Sequence, residues 1–380
     1  MQATVLQEDL NKALATVSRV VTGKGQLPIL ANVLIEGTKA GLVLVTTNLE
    51  LGLRMNAGGK VVEEGNITVP ARSLSEFVTS LPGSSTVELE TDGEKLKIKS
   101  GKFAATFATI AASEFPVVSS YAKATEGAAH IKMEVVAEIA SQVAYAAAGD
   151  ESRPVLTGVQ IKTGDKVISF TATDGFRLAR KTNNELRITN YDNLDGLILP
   201  ARTIVELAKV IGEGPSFAKA SEGKDVEMEV VKGSNQVIFK CDKVEMVSRV
   251  LEGNFPDVEK IIPTEFKTRI IIDKEELMRA VRAASIFARE NNNIIRLKAQ
   301  DTWLKVSAAA KESGESEVEI EVEKEGEDVE VAFNFRYVVD FLNSTVGERV
   351  IFEANGPISP GVWKVEKEEG LIGLIMPVRV

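Results

Sequence analysis

Three stretches of this 380-residue chain carry one pattern. Val69-Pro70-Ala71-Arg72 leads into Leu74, Glu76, Phe77 and Leu81. Leu199-Pro200-Ala201-Arg202 leads into Ile204, Glu206, Leu207 and Val210. Phe333-Asn334-Phe335-Arg336 leads into Val338, Asp340, Phe341 and Leu342. Each reads as a helix start followed by an apolar stripe at helical spacing. Pro200 sits where a first helical turn tolerates proline, because the amide it lacks would have no partner there. Arg202 and Glu206 are four apart and share a face. The arginines Arg72, Arg202 and Arg336 lie 130 and 134 residues apart. A repeat of that period constrains the fold more than composition does. It implies three copies of one unit, each long enough to bury its own core.

The segments between these helices repeat as well. Residues 6–21, 132–148 and 273–288 read as amphipathic helices, with Asp273 placed to cap the last. A β-hairpin follows each, turning at 37–41, at Thr163-Gly164-Asp165 and at Gln300-Asp301-Thr302. A second hairpin follows each proline–arginine helix, turning at Asp92-Gly93, at Gly233-Ser234-Asn235 and through 355–361. Each unit then closes on a final strand region: Phe115-Pro116-Val117, Phe255-Pro256-Asp257-Val258 and Ile375-Met376-Pro377-Val378. Hairpins make antiparallel sheets, and two helices per unit can cover one sheet face, so the class is α+β. The domains expected are 1–121, 129–258 and 260–380, with linkers at 116–127 and 257–268.

Several chemistries find no footing. The only histidine, His130, falls in the linker before the second unit, and no serine or cysteine sits in a nucleophile elbow. There is no cysteine–histidine cluster for zinc and no calcium-loop spacing, so no metal is expected. Asp174 and Glu50 occupy related places in two units and read as turn residues. The single cysteine, Cys241, lies in an apolar-alternating run and reads as a strand residue. One cysteine forms no internal disulfide, which fits a reducing cytoplasm, and no apolar run approaches a membrane span. The net charge of −10 argues against a protein that grips nucleic acid over its whole surface. A small basic face on an acidic body remains open. Lys12, Arg19 and Lys24 cluster near the first helix, and Arg279 and Arg282 share a face of the fifth. Taken alone they are solvated surface; the repeat is what gives them weight.

Longer stretches carry a resemblance. Glu151-Ser152-Arg153-Pro154-Val155-Leu156-Thr157-Gly158-Val159 and Ala172-Thr173-Asp174-Gly175-Phe176-Arg177-Leu178-Ala179 are similar to the second domain of the bacterial DNA polymerase III beta subunit, the replicative sliding-clamp family. Leu27-Pro28-Ile29-Leu30, Phe255-Pro256-Asp257-Val258, Phe333-Asn334 with Tyr337, and the ending from Ile375 to Val380 also resemble it. The likeness spans the whole chain in register. It implies three similar DNA-clamp domains in tandem, antiparallel sheets outside and helices inside, in a head-to-tail dimeric ring around duplex DNA. It implies a non-catalytic subunit without cofactor, acting in the cytoplasm and at the nucleoid during replication. The partners implied are a second copy, non-sequence-specific duplex DNA, the polymerase catalytic subunit, the clamp loader, and other replication and repair proteins with a clamp-binding motif; no membrane is involved.

Carried over position by position, the resemblance places a partner-peptide pocket between the second and third domains. One side would be Leu156, Thr173, Gly175, Phe176, Arg177 and Leu178. The other would be Pro256, Ile261, Asn334, Tyr337, Pro357, Ser359 and the tail Leu374, Ile375, Met376, Pro377, Val378 and Arg379. Lys24, Arg153 and Arg202 fall where the family contacts DNA, and Arg72, Arg279 and Arg282 are expected DNA contacts from the repeat and its helix faces. Phe176 stands where family members often carry a polar or basic side chain, and Asn292 falls near a position that is commonly bulkier. Two other classes fit the repeat without the resemblance: a protein-binding scaffold that never encloses DNA, and a hydrolase with an unrecognised site.

Changing Arg279 and Arg282 together to glutamate is expected to weaken DNA association. Its log–log salt slope should fall by about one for each phosphate that is no longer neutralised. Titrations at several salt concentrations check this, and an unchanged slope would place the DNA-facing surface elsewhere.

Overall fold

The computed structural model describes residues 1–21, 27–118, 128–184, 188–212, 225–231 and 233–379. Lys24, Val380 and most of the first expected linker lie outside the described residues. Among those described are six α-helices: α1 (Gln7–Val17), α2 (Ala71–Ser80), α3 (Met133–Gln142), α4 (Ala201–Ile211), α5 (Lys274–Ala288) and α6 (Phe335–Ser344). Each is preceded directly by a strand. The strands before α2, α4 and α6 end at Pro70, Pro200 and Asn334. Pro200 therefore closes a strand rather than filling the first helical turn. The strands ending at Pro70 and Pro200 each lie at a sheet edge, where a missing amide interrupts no ladder. Asn334 does the same work differently, since its side chain accepts the amide of Arg336 and caps α6. Asp273 caps α5 through the amide of Glu276 at 2.8 Å, as expected.

The chain packs as two compact units. One comprises Met1–Met133 with Glu206–Val250. Its first sheet runs in the order Lys60–Glu63, Gln2–Leu6, Thr86–Asp92, Lys95–Ser100, Phe103–Ala108. In its second sheet, Asp225–Val231, Gln236–Cys241 and Val244–Arg249 are followed by Leu51–Gly58, Gly41–Thr47 and Asn32–Thr38. Strands of the second repeat thus join strands of the first by an antiparallel ladder, Val244↔Met55 to Ser248↔Leu51. Leu10, Leu14 and Val17 of α1 are fully buried, as are Leu42, Leu44, Leu53 and Leu74.

The other unit comprises Glu134–Val205 with Leu251–Val380. Its long sheet runs Ile198–Pro200, Gly158–Gly164, Val167–Thr173, Arg177–Asn184, Leu371–Ile375, Gly361–Val365, Arg349–Ala354, Thr268–Asp273, Glu323–Gly326. Here the second and third repeats are joined by the ladder Arg177↔Ile375 to Lys181↔Leu371. A four-stranded sheet, Gly314–Glu321, Trp303–Ala310, Ile294–Gln300, Val329–Asn334, completes the unit. α5 and α6 bury Leu277, Val281, Val338 and Phe341 in one core with Phe333, Phe352 and Trp363. The rings of Phe352 and Trp363 stack at 4.5 Å.

Some expectations need correction. The short strands Gln2–Leu6, Ala129–Lys132 and Thr268–Asp273 take the first residue expected of each helix, and the helices begin one residue later. His130 is thus a strand residue opposite Glu227, not a linker residue. The closing strands of the first two repeats are Phe103–Ala108 and Val244–Arg249. The Phe-Pro segments that follow them are irregular, because proline donates nothing to a ladder. Cys241 ends a strand and is half-buried.

On the seam within the first unit, Glu245 lies opposite Arg54. Burial raises its carboxyl above the ordinary range, against the opposing pull of Lys240 and Arg54. A carboxyl raised on folding favours the native state in acid, and that contribution is lost as pH climbs through the folded value. Glu245→Gln is therefore expected to raise the melting midpoint near neutral pH. The gain should shrink towards zero as the pH falls to about 3, below the ordinary glutamate range. Melting curves at the two pH values check the sign.

Candidate functional site

In the second unit some of the expected pocket residues, among them Arg177, Tyr337 and Met376, meet at one tight turn. Between the strands Val167–Thr173 and Arg177–Asn184 the chain reverses through Asp174, Gly175 and Phe176. The Thr173 hydroxyl donates to the carbonyl of Arg177 at 2.6 Å and accepts the amide of Gly175 at 3.1 Å. Asp174 Oδ1 accepts the amides of Phe176 and Arg177 at 2.8 and 2.9 Å. Gly175 has φ +91°, a conformation glycine adopts without strain. This set of bonds pushes Phe176 outward, leaving it 64% exposed.

The same turn occurs in the first unit. The Thr47 hydroxyl donates to the carbonyl of Leu51, and Asn48 Oδ1 accepts the amides of Glu50 and Leu51. Leu49 takes the place of Gly175 at φ +77°, which is strained for a leucine. Asn48, not Glu50, is thus the counterpart of Asp174, and Glu50 corresponds to Phe176. The shared rule is a threonine and an Asx residue closing the turn from both ends.

The tail runs beside the second turn. Met376 donates its amide to the carbonyl of Phe176 at 2.8 Å, and Val378 donates to Ala332 at 2.8 Å. The regular strand ends at Ile375, as the following proline requires. Met376 is exposed, Pro377 and Val378 are half-buried, and Arg379 is exposed. Leu178 and Leu374 are buried against Val258, with Phe255 and Ile262 packed around them. They lie under the turn rather than on its surface, and Ile375 and Leu156 are buried as well. Pro256, Ile261, Pro357 and Ile358 are exposed, while Asn334, Tyr337 and Ser359 are half-buried. Pro357, Ile358, Val378 and Arg379 border a groove of about 720 Å³, with Lys267, Arg296 and Glu330 along its floor and sides.

Charge at the site centres on Arg177. Its Nε donates to Asp174 Oδ2 at 3.0 Å and its Nη1 to Asp340 Oδ2. The guanidinium also faces the rings of Tyr145 and Tyr337. Burial pushes the Tyr145 hydroxyl far above the ordinary tyrosine range, although a hydrogen bond with Ser344 opposes the shift. Burial also raises Tyr337. Sequence reasoning points to neither Tyr145 nor Asp340 as part of the site. The only signal that could have found one of them is the spacing of Tyr337 and Asp340, which puts both on one helical face.

The basic residues expected at DNA are all on the surface where described. Arg72 is exposed and pairs with Glu76 at 2.9 Å. Arg279 pairs with Glu275 at 3.4 Å, four residues earlier on α5. Arg202 and Arg282 are exposed. Arg153 is exposed too, and the structure sets it beside the Phe176 turn: a Cβ on Gly175 would lie 3.7 Å from its Nη1. Asn292 has φ +52° in the turn after α5, a conformation asparagine tolerates better than a bulky residue. Among the described residues no group of acidic, histidine or cysteine side chains is arranged to hold a metal. No described helix is long and apolar enough to cross a membrane.

Residues 1–119, 130–257 and 259–379 match, in turn, the family profiles described as the N-terminal, central and C-terminal domains of the DNA polymerase III beta subunit. The chain is 28% identical to the beta sliding clamp of Synechococcus elongatus over the full length of both. Among solved structures it is similar to the DNA polymerase III subunit beta from Pseudomonas aeruginosa, with a TM-score of 0.90, 27% identity and 100% of each chain covered. It is also similar to the DNA polymerase sliding clamp from Bacillus subtilis, with a TM-score of 0.88, 27% identity, and 100% of this chain and 99% of that one covered.

Leu178→Asp places an unpaired carboxylate among buried apolar groups and is expected to destabilise the protein by about 3–5 kcal/mol. Met376→Ala, at a side chain left exposed, should stay within about 0.5–1 kcal/mol of the parent. Chemical denaturation of both variants checks the contrast, and equal midpoints would mean that Leu178 is not core.

Proposed function

The chain belongs to the DNA polymerase III beta subunit family, whose members are non-catalytic sliding clamps of DNA replication, and we propose that two copies of it close head to tail into a ring around duplex DNA. The observation that carries the ring is a pair of unlike sheet edges. In the first unit the edge strand Phe103–Ala108 reads FAATFA, with no charge, and Phe103 is 45% exposed. Phe107 rests edge-on against Phe77 of α2. The lysines Lys97 and Lys99 stand on the strand beside it. In the second unit the edge strand Gly314–Glu321 reads GESEVEIE, with Glu315, Glu317 and Glu319 exposed. α5, which covers that sheet, exposes Ile286. A long uncharged edge is a liability unless something pairs with it. The acidic edge of a second copy offers a strand ladder, opposite charge and an apolar contact together. Two such seams close a dimer without further surface.

The three matched spans support reading the chain as domains 1–121, 129–258 and 260–380. DNA would meet Arg72, Arg153, Arg202, Arg279 and Arg282, and Lys24 as well, through non-sequence-specific phosphate contacts. A ring that slides should hold DNA weakly and retain it by closure. Partners would be the polymerase catalytic subunit, the clamp loader, and other replication and repair proteins carrying a clamp-binding motif. They would lay a short extended segment over Phe176, Met376, Ile261 and Pro256, beside Tyr337 and the groove at Pro357 and Ile358. Each large apolar side chain buried there is worth roughly 1.5–3 kcal/mol. Work at the nucleoid in the cytoplasm follows from that role.

After loading, the protein is expected to stay on nicked circular DNA and to run off once the circle is cut. Sedimentation should give a dimer, and Ile286→Glu with Phe107→Glu should give monomers that lose retention on the circle. Equal loss from circular and linear DNA, or a stable monomer in the parent, would favour the scaffold that never encloses DNA.

A further inference from the structure

Arg177 looks at first like a cation offered to a partner, but two of its three nitrogens already meet carboxylates. Nε meets Asp174 Oδ2 at 3.0 Å, and Nη1 meets Asp340 Oδ2. The guanidinium carbon lies 4.8 Å from the Tyr337 ring centre and 5.4 Å from that of Tyr145, close enough for attraction to both rings. The side chain is only 13% exposed. Asp340 lies three residues beyond Tyr337 on α6, so its carboxylate and the Tyr337 ring take the guanidinium from one helical face. The other oxygen of Asp174 meanwhile holds the amides of Phe176 and Arg177. One cation therefore ties the Phe176 turn, α6 and the segment around Tyr145 to a common point. A planar fork can serve two carboxylates and two rings at once, which an ammonium cannot.

We infer that Arg177 is a brace rather than a contact, and that Asp340 is the positioning residue that fixes the Phe176 turn relative to Tyr337. The inference rests on the docking site proposed above. It deepens that reading by taking Arg177 off the recognition surface and by making the fit of an aromatic anchor against Phe176 depend on Asp340. The exposed Arg153 stands beside Gly175 at this turn, and its charge stays with the DNA contacts proposed above. Asp340 has 43% of its side chain exposed, so replacing it leaves no buried void.

The test uses the intact protein and a labelled, extended peptide with one phenylalanine anchor, followed by fluorescence polarisation beside a melting curve. Asp340→Asn is expected to weaken binding about tenfold. Asp340→Glu, which keeps the charge, should restore most of it. In a Phe176→Ala background the Asp340→Asn effect should disappear, because a positioning residue acts only through what it positions. Should Asp340→Asn melt early, Arg177→Lys keeps the charge, loses the fork, and should show the same Phe176-dependent loss. Unchanged affinity in Asp340→Asn, equal losses with and without Phe176, or no rescue by glutamate would each overturn the inference. A parent protein that binds neither this peptide nor its leucine-anchored twin removes the docking site and the inference with it. A parent that binds while Asp340 proves indifferent removes the inference alone.

Discussion

Antiparallel backbone pairing across the joins between repeats is the constraint on which the rest depends. Strand Val244–Arg249 pairs with Leu51–Gly58, and Arg177–Asn184 pairs with Leu371–Ile375. A ladder has a side-chain period of two, so a slip of one residue would turn every buried group outward. Register is thus set by the cores on either side. Once it is set, a turn from one repeat and a segment from the next have no freedom left. Each seam ends in the same further bond: Arg249 donates to Glu50 at 3.1 Å, and Met376 donates to Phe176 at 2.8 Å. The exposed tail is positioned by hydrogen bonds of its backbone, which leaves its side chains free for other work.

Ionic groups reinforce the second seam in a way that apolar packing alone would not. Lys181 is 5% exposed, and its ammonium meets Glu368 at 2.6 Å, with Glu138 of α3 at 4.0 Å. Gln142 donates to the same Glu368 oxygen at 2.9 Å. Buried pairs of this kind contribute little net stability because desolvation offsets their attraction. Their effect is directional: any arrangement that leaves one member alone is heavily disfavoured. The cluster therefore favours one docking of α3, its neighbouring strand and the turn before Leu371 over near alternatives.

Much of the architecture is legible in the sequence because amphipathic stripes and turn residues are local signals. Leu277, Val281 and Ala284 announce α5, and Asp92-Gly93 announces a hairpin, without reference to anything distant. The lead-in strands are not legible, because four to six residues ahead of a helix carry too little periodicity to separate from it. The Phe-Pro segments imitate strands, because aromatic and β-branched residues there outweigh the proline that keeps them irregular. At the site, the residues come through but not their roles. Leu178 looks like a groove wall until Val258 is seen covering it. Asp340 looks like a solvated helix residue until Arg177, 163 positions away, arrives beside it. Pairings of that range leave no trace in spacing, so no local reading could have supplied them.

The two sheet edges differ in character: one uncharged and aromatic, flanked by lysines, the other lined with glutamates. Contacts between unlike surfaces have a direction, as head meets tail. A self-complementary patch stops growing after two copies by its own symmetry, but a directional contact stops only when the last free end reaches the first. Assembly size in such a molecule is decided by curvature rather than by affinity. A change that left both edges intact yet altered the bend of the chain would not produce a weaker dimer. It would produce a ring of more copies or, where the rotation no longer closes, a polymer.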